Sequence, residues 1–302
     1  MARMLLILVA IVVAAVAVVA CSPIRALNAI VPSDSYELAT VSYGAGPRRQ
    51  LDVYTPRSSE QTRAERVRPA NGWPLVVFFY GGSWNHGERE SYRFVGEALA
   101  ARGILTVIPD YRLYPEVRYP EFLKDNAAAT AWTLREAARL GADPKRVFAM
   151  GHSAGGYNAA MVALDPRWLG AEGLKTTQLA GWIGLAGPYE FLPVENPDAQ
   201  PVFFHPNTPP ESQPILYATA SAPRTFLGAA PEDELVNPER NTRQMAAKLQ
   251  AAGVPVTVQF YPRTSHMTLI GAFAAPLRFL APVLDDVVEF VRETPALTRR
   301  LR

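Results

Sequence analysis

The chain has a single cysteine, Cys21, among 302 residues. That excludes any disulfide within the chain and any zinc site built on cysteines. Histidine is scarce too, with four residues, so few side chains can serve as a neutral-pH base. An excess of either charge sign is also lacking. Thirty Lys and Arg stand against 28 Asp and Glu, leaving +2. This balance gives no electrostatic footprint for nucleic acid, although Thr298 to Arg302 is locally basic. Internal repeats and low-complexity tracts are missing. What is present is 49% apolar and 19% charged, which rules out a disordered or fibrous chain. A chain of this length buries about three quarters of its unfolded surface, as one large α/β domain or two smaller ones.

The cysteine sits at an informative place. Arg3 is the only charge before it, and Leu5 to Ala20 is an apolar run. A basic start followed by an apolar stretch is the pattern of an export signal. The run closes as Val18-Val19-Ala20-Cys21-Ser22, which resembles a bacterial lipobox. In such a box the thiol carries the lipid, and the small preceding residue fits the peptidase. Competing readings are an uncleaved anchor, since about 17 apolar residues is the short edge of a span, and an ordinary cleaved signal. All three export the domain that follows, and lipidation at Cys21 would hold it on a membrane surface. The expected division is a signal over 1–20, a tether over 21–35, an α/β domain over 36–296 and a basic tail over 297–302.

Within that domain, strands and helices alternate. Tyr36 to Tyr43 and Gln50 to Tyr54 are expected strands joined by the turn Gly44 to Pro47, and Arg57 to Asn71 is a polar loop. Leu75 to Tyr80 and Ile104 to Ile108 are unbroken apolar runs, the mark of strands covered on both faces. Arg146 to Met150, Ala180 to Ala186, Thr225 to Leu227 and Val256 to Tyr261 continue the strands. Helices are expected over 90–102, 120–140, 153–164, 238–252 and 276–294. Such alternation implies a mostly parallel central sheet with helices on both faces. The proline-rich stretch 188–214 carries the aromatic pair Phe203 and Phe204, and reads as a lid-like excursion.

Gly151-His152-Ser153-Ala154-Gly155 follows an expected strand and opens an apolar helix, the context that the G-x-S-x-G nucleophile elbow requires. The turn is too tight for side chains two residues either side of Ser153. A serine hydroxyl needs a base, and where hydrolases use this elbow the chain order is serine, then acid, then histidine. His86 and His152 come too early, His205 lies in the proline-rich excursion, and His266 follows the last expected strand by a short turn. Asp233, just past the strand ending at Leu227, is the expected acid, with Glu232 and Glu234 as rivals. Val236 suggests that this turn folds inward. Tyr80-Gly81-Gly82-Ser83-Trp84 follows a buried strand, and its adjacent glycines leave N–H groups free for an oxyanion. The expected donors are Gly82, Ser83 and Ala154. Trp84, Tyr157, Tyr189, Phe203 and Phe204 are candidates for an acyl or aryl pocket, with core or lid packing as the competing reading.

The motifs YGGSW (80–84), DYRLYPE (110–116), GHSAGG (151–156), DELVNP (233–238) and SH (265–266) together resemble the α/β-hydrolases. The likeness is to carboxylesterases of the hormone-sensitive-lipase-like kind, near the feruloyl-esterase-like and kynurenine-formamidase-like branch, over residues 36 to 294. It implies an α/β-hydrolase fold, a Ser153-Asp233-His266 triad, a small-molecule ester as substrate, and no metal or organic cofactor. The chain departs from the pattern at Tyr80, where a histidine is usual, and at Ser83, where the lipase-like branch has glycine. Asp110, Arg112, Glu116 and Asp125 read as structural. The alternatives are an arylformamidase-like C–N hydrolase, a lipase on longer acyl chains, and a membrane-anchored binding protein with an inactive hydrolase fold.

Overall fold

The computed structural model describes residues 27–57 and 68–293. The signal, Cys21, the basic tail and part of the polar loop after Arg57 lie outside the described residues. Eight strands among those described form one sheet: β1 (Tyr36–Ser42), β2 (Gln50–Pro56), β3 (Trp73–Phe79), β4 (Leu105–Pro109), β5 (Ala142–His152), β6 (Gly181–Leu185), β7 (Thr225–Ala229) and β8 (Val256–Phe260). Their spatial order is β1-β2-β4-β3-β5-β6-β7-β8. β2 runs antiparallel to both β1 and β4, and every later pairing is parallel. With helices on both sides, this is the α/β-hydrolase fold.

The apolar runs make the sheet the centre of two cores. Every residue of β3 is buried. Val76 and Phe78 point into one core and Leu75, Val77 and Phe79 into the other, as the period of two in a strand demands. The first core takes in α1 (Arg93–Ala100) and α7 (Val283–Arg292), and the second is closed by apolar residues of α3 (Ala154–Leu164) and α5 (Gln244–Ala251). Between these in chain order lie α2 (Glu121–Glu136), α4 (Pro166–Ala171) and α6 (His266–Gly271).

Helix boundaries differ from those expected, each for a backbone reason. The stretch 276–294 is broken: a 3₁₀ turn over Ala275–Leu280 stops at Ala281, which is extended at φ −164° before Pro282. A residue preceding proline is driven out of the helical region, and proline lacks the N–H to continue the ladder. Likewise the 90–102 helix opens as a 3₁₀ turn, Arg89–Tyr92, and the 238–252 helix as a wide turn in which the Arg243 N–H reaches the Pro238 carbonyl at 2.9 Å. The proline-rich stretch folds inward, burying Val194, Ala199, Val202 and Phe203.

Two of the buried carboxylates, Asp125 and Asp110, brace the end of the sheet near the loop after β3. Asp125, fully buried on α2, accepts from Arg49 at 2.8 Å and from Arg112 Nε at 2.8 Å, and also from the Arg112 N–H at 3.0 Å. Asp110 accepts from the Tyr80 hydroxyl at 2.8 Å and from the Arg89 backbone and guanidinium. Glu116, by contrast, is exposed. Asp125→Ala would leave two guanidinium groups facing each other without their shared acceptor. It should lower the unfolding free energy by about 3 kcal/mol. Urea titration measures this, and a change below about 0.5 kcal/mol, the size of an ordinary surface substitution, would show the cluster to be energetically idle.

Candidate active site

β5 delivers Ser153 by a turn so tight that its neighbours must lack side chains. Ser153 has φ 57° and ψ −126°, a conformation that a non-glycine residue adopts only when its surroundings impose it. A Cβ on Gly151 would sit 1.9 Å from the Gly155 carbonyl oxygen, and one on Gly155 would sit 1.9 Å from that of Phe79. The chain therefore passes through contacts that only hydrogen can fill. The Ser153 N–H donates to Leu185 at 2.9 Å, tying the turn to β6.

The loop Gly81 to Trp84 lies against this turn, where a Cβ on Gly81 would come within 2.9 Å of the Ser153 Cβ. Ser83 and Trp84 both have positive φ, 47° and 57°. The N–H groups of Gly82 and Ser83 make no hydrogen bond among the described residues, and that of Ala154, first residue of α3, has no partner inside its helix. Three free donors thus flank Ser153. The loop is held from below. The Tyr80 hydroxyl donates to Asp110 and accepts from Arg48 at 2.8 Å, while the Tyr111 hydroxyl donates to the Tyr80 carbonyl at 2.8 Å. Tyrosine in place of histidine thus gives the loop a phenolic anchor.

Asp233 follows β7 and is buried, whereas Glu232 and Glu234 are exposed. Its Oδ1 accepts the N–H groups of Leu235 and Val236, both at 2.9 Å, and its Oδ2 accepts from His266 Nδ1 at 2.7 Å. Burial alone would raise this carboxyl. The bond to His266, that residue's charge and the two backbone donors outweigh it and hold the group below its usual range. The turn closes around the carboxylate through these amides; Leu235 itself is exposed. A carboxylate only accepts, so Nδ1 carries the hydrogen, and in the neutral ring Nε2 is left with the lone pair. His266 is the first residue of α6 rather than part of an open loop. Ser265 caps that helix, its N–H reaching Thr268 Oγ1 at 2.7 Å.

Ser83, Ser153 and His266 line two adjoining cavities. A cleft of about 150 Å³ runs past Trp84, Phe191 and Val236 toward Arg240, which pairs with Glu190. A wider groove of about 760 Å³ opens past Gly82, Tyr92 and Met267. Among the aromatic residues expected to shape a pocket, only Trp84 reaches a cavity wall. Tyr157 and Phe203 are fully buried behind it, with ring centroids 5.1 and 4.7 Å from its own. Tyr189 is a correction: it is buried in the second core, edge-on to Trp182 at 5.7 Å. So is Phe204, which is turned outward with the Arg118 guanidinium 5.4 Å over its ring. In both cases the direction of the side chain is set by backbone placement, which composition does not reveal. Phe191, two residues after Tyr189, was not singled out in the sequence, nor was Asn158, whose Oδ1 accepts the Trp84 indole N–H at 2.9 Å.

An open sheet presenting a strained serine, a carboxylate-bound imidazole and free backbone donors at one edge defines an α/β-hydrolase. The BD-FAE family model matches residues 51–249, and the chain belongs to that family. Among curated proteins it is similar to a probable isoprenylcysteine alpha-carbonyl methylesterase ICME of Oryza sativa subsp. japonica, with 31% identity over 156 residues. That match covers 50% of this chain and 35% of the relative. It is also similar to carboxylesterase NlhH of Mycobacterium tuberculosis, 40% identical over 98 residues, covering 32% of this chain and 31% of that one. The chain thus spans about a third of the length of these relatives. Among solved structures, a Pyrobaculum calidifontis esterase superposes with a TM-score of 0.69 at 21% identity, over 89% of this chain and 87% of that chain, a likeness of fold.

The elbow contacts predict an asymmetry between two glycines. Gly155→Ala drives a Cβ into the Phe79 carbonyl and should lower the thermal midpoint by several degrees. Gly170→Ala, on α4 with nothing within 4 Å, should leave it unchanged or raise it slightly. Differential scanning calorimetry of the two variants distinguishes them, and equal midpoints would contradict the close approach.

Proposed function

We propose that this protein is a serine hydrolase that cleaves carboxylic esters through an acyl-enzyme. The observation that carries the reading is the 2.7 Å bond from His266 Nδ1 to a buried, ionised Asp233, in a site whose cavity walls include Ser153. With Nδ1 protonated, the lone pair of His266 Nε2 takes the Ser153 proton as Oγ attacks the ester carbonyl. Asp233 stabilises the imidazolium that results. The carbonyl oxygen becomes an oxyanion held by the N–H groups of Gly82, Ser83 and Ala154. His266 returns the proton to the departing alcohol, and water then repeats the sequence on the acyl-enzyme to release the acid.

The two cavities support a division of the substrate. The cleft walled by Trp84 and Phe191 is about 150 Å³, against about 760 Å³ for the groove. It suits a short acyl chain, and the wider groove suits the leaving alcohol. This favours short esters over the long chains of a lipase. Ser153→Ala should abolish turnover of p-nitrophenyl acetate while leaving thermal unfolding little changed. Asp233→Asn should cost about 10⁴-fold in kcat, with Glu232→Gln near wild type. Acetate and butyrate esters should outpace palmitate. Turnover in Ser153→Ala refutes the mechanism, and a palmitate optimum refutes the division. Faster turnover of N-formylkynurenine than of every ester would transfer the same machinery to C–N hydrolysis.

From its sequence, the protein is further proposed to be exported and lipid-attached to a bacterial membrane through Cys21. No helix among the described residues is long and apolar enough to cross a membrane. Cys21→Ser should abolish incorporation of radiolabelled palmitate in a bacterial host, and an undiminished label would dispose of the lipobox.

A further inference from the structure

His152 ends β5 one residue before Ser153 and is 1% exposed. Chain order excludes it as the base, yet it is not an idle core residue. Its ring turns from Ser153 toward α6, with its centroid 4.8 Å from that of His266, and its Nε2 lies 2.9 Å from the His266 carbonyl oxygen. A carbonyl oxygen only accepts, so Nε2 is the donor and Nδ1 holds a lone pair. That Nδ1 is buried and has no hydrogen-bond partner among the described residues. Burial, reinforced by the neighbouring His266, pushes the group down to about 3, so the ring stays neutral with its proton on Nε2.

An unpaired buried nitrogen costs stability that an apolar side chain in this place would avoid. What the imidazole supplies in return is its other nitrogen. We propose that His152 is a positioning residue, whose Nε2–H holds the backbone of His266 so that the base faces Ser153. The inference rests on the Ser153–His266 reading above. The bond joins residues 114 apart in sequence, tying the strand that ends at the nucleophile to the first residue of the helix that bears the base. α6 is only six residues long and belongs to no strand ladder, so its own cap fixes its start but not its distance from β5. The Asp233 bond restrains the imidazole ring itself. Two ties, one to the ring and one to the backbone, leave the imidazole less freedom to swing than either alone. Catalysis that depends on near-attack geometry is sensitive to displacements of this kind.

The test compares His152→Phe, which keeps an aromatic ring but no donor, with His152→Gln, whose amide N–H falls near the Nε2 position. Steady-state hydrolysis of p-nitrophenyl acetate and the rate of Ser153 labelling by a fluorophosphonate are measured for each, beside the thermal midpoint. In His152→Phe, kcat and the labelling rate should fall at least about tenfold with KM within about twofold, and His152→Gln should recover to within about threefold of wild type. Wild-type kcat in His152→Phe, or equal losses in the two variants, would overturn the tie. Should His152→Phe fail to fold, His152→Asn replaces it. Its amide reaches only the Nδ1 position, so losses equal to those of His152→Gln would again refute the proposal. A wild type inert toward both ester and probe would instead overturn the functional reading itself, and the tie with it.

Discussion

The close approach of backbone to backbone at the turn after β5 is the constraint on which the site depends. Gly151 and Gly155 leave no room for a Cβ, because the Gly155 and Phe79 carbonyls occupy that space. Ser153 accepts a conformation at φ 57° because the strand before it and the helix after it are both locked in the core. Strain of this kind persists only where the surroundings over-determine it. Here β3 and β5 pair in parallel through Phe79 and Gly151, so the loop that follows β3 and the turn that follows β5 emerge side by side. The positions of Gly82, Ser83 and Ser153 are therefore one consequence of one register.

A second layer of polar contacts converts that adjacency into a defined shape. Asp110 lies at the end of β4, beside β3, and binds the Tyr80 hydroxyl, while Arg48 reaches the same hydroxyl and the Gly87 carbonyl. Both ends of the Gly81–Gly87 loop are thus pinned from beneath. On the other side, Trp84 is gripped by the Asn158 amide and by the rings of Tyr157, Phe203 and Phe191. Buried polar groups cost stability unless satisfied. Tyr80, Asp110 and Arg48 satisfy one another, and their geometry is passed to the loop above them. The proline-rich stretch contributes through packing: Phe203 supports the cleft wall from behind, and Phe191 forms part of its surface.

Motifs read well in the sequence when their physical requirement is local. Glycines flanking Ser153 are demanded by a turn of five residues, and the apolar runs of β3 and β4 by coverage on both faces. Side chains whose role depends on distant partners read poorly. Tyr189 and Phe204 share composition and neighbourhood with Phe191 and Phe203, yet one pair member is in the wrong core and the other is outside it. Helices interrupted at Pro282 or opened by 3₁₀ turns follow from backbone exclusions that a periodic apolar pattern overrides on paper.

The amino-acid sequence by itself determined the alternating architecture and the strand–turn–helix around Ser153, because each rests on contacts within a few residues. Only the tertiary structure decided which carboxylate meets His266, how the aromatic residues divide between cavity wall and core, and that His152 reaches the backbone of a residue 114 positions away. Those outcomes depend on the direction of side chains across separate strands. Direction is set by sheet register and close packing, which act between segments and leave no periodic mark in any one of them.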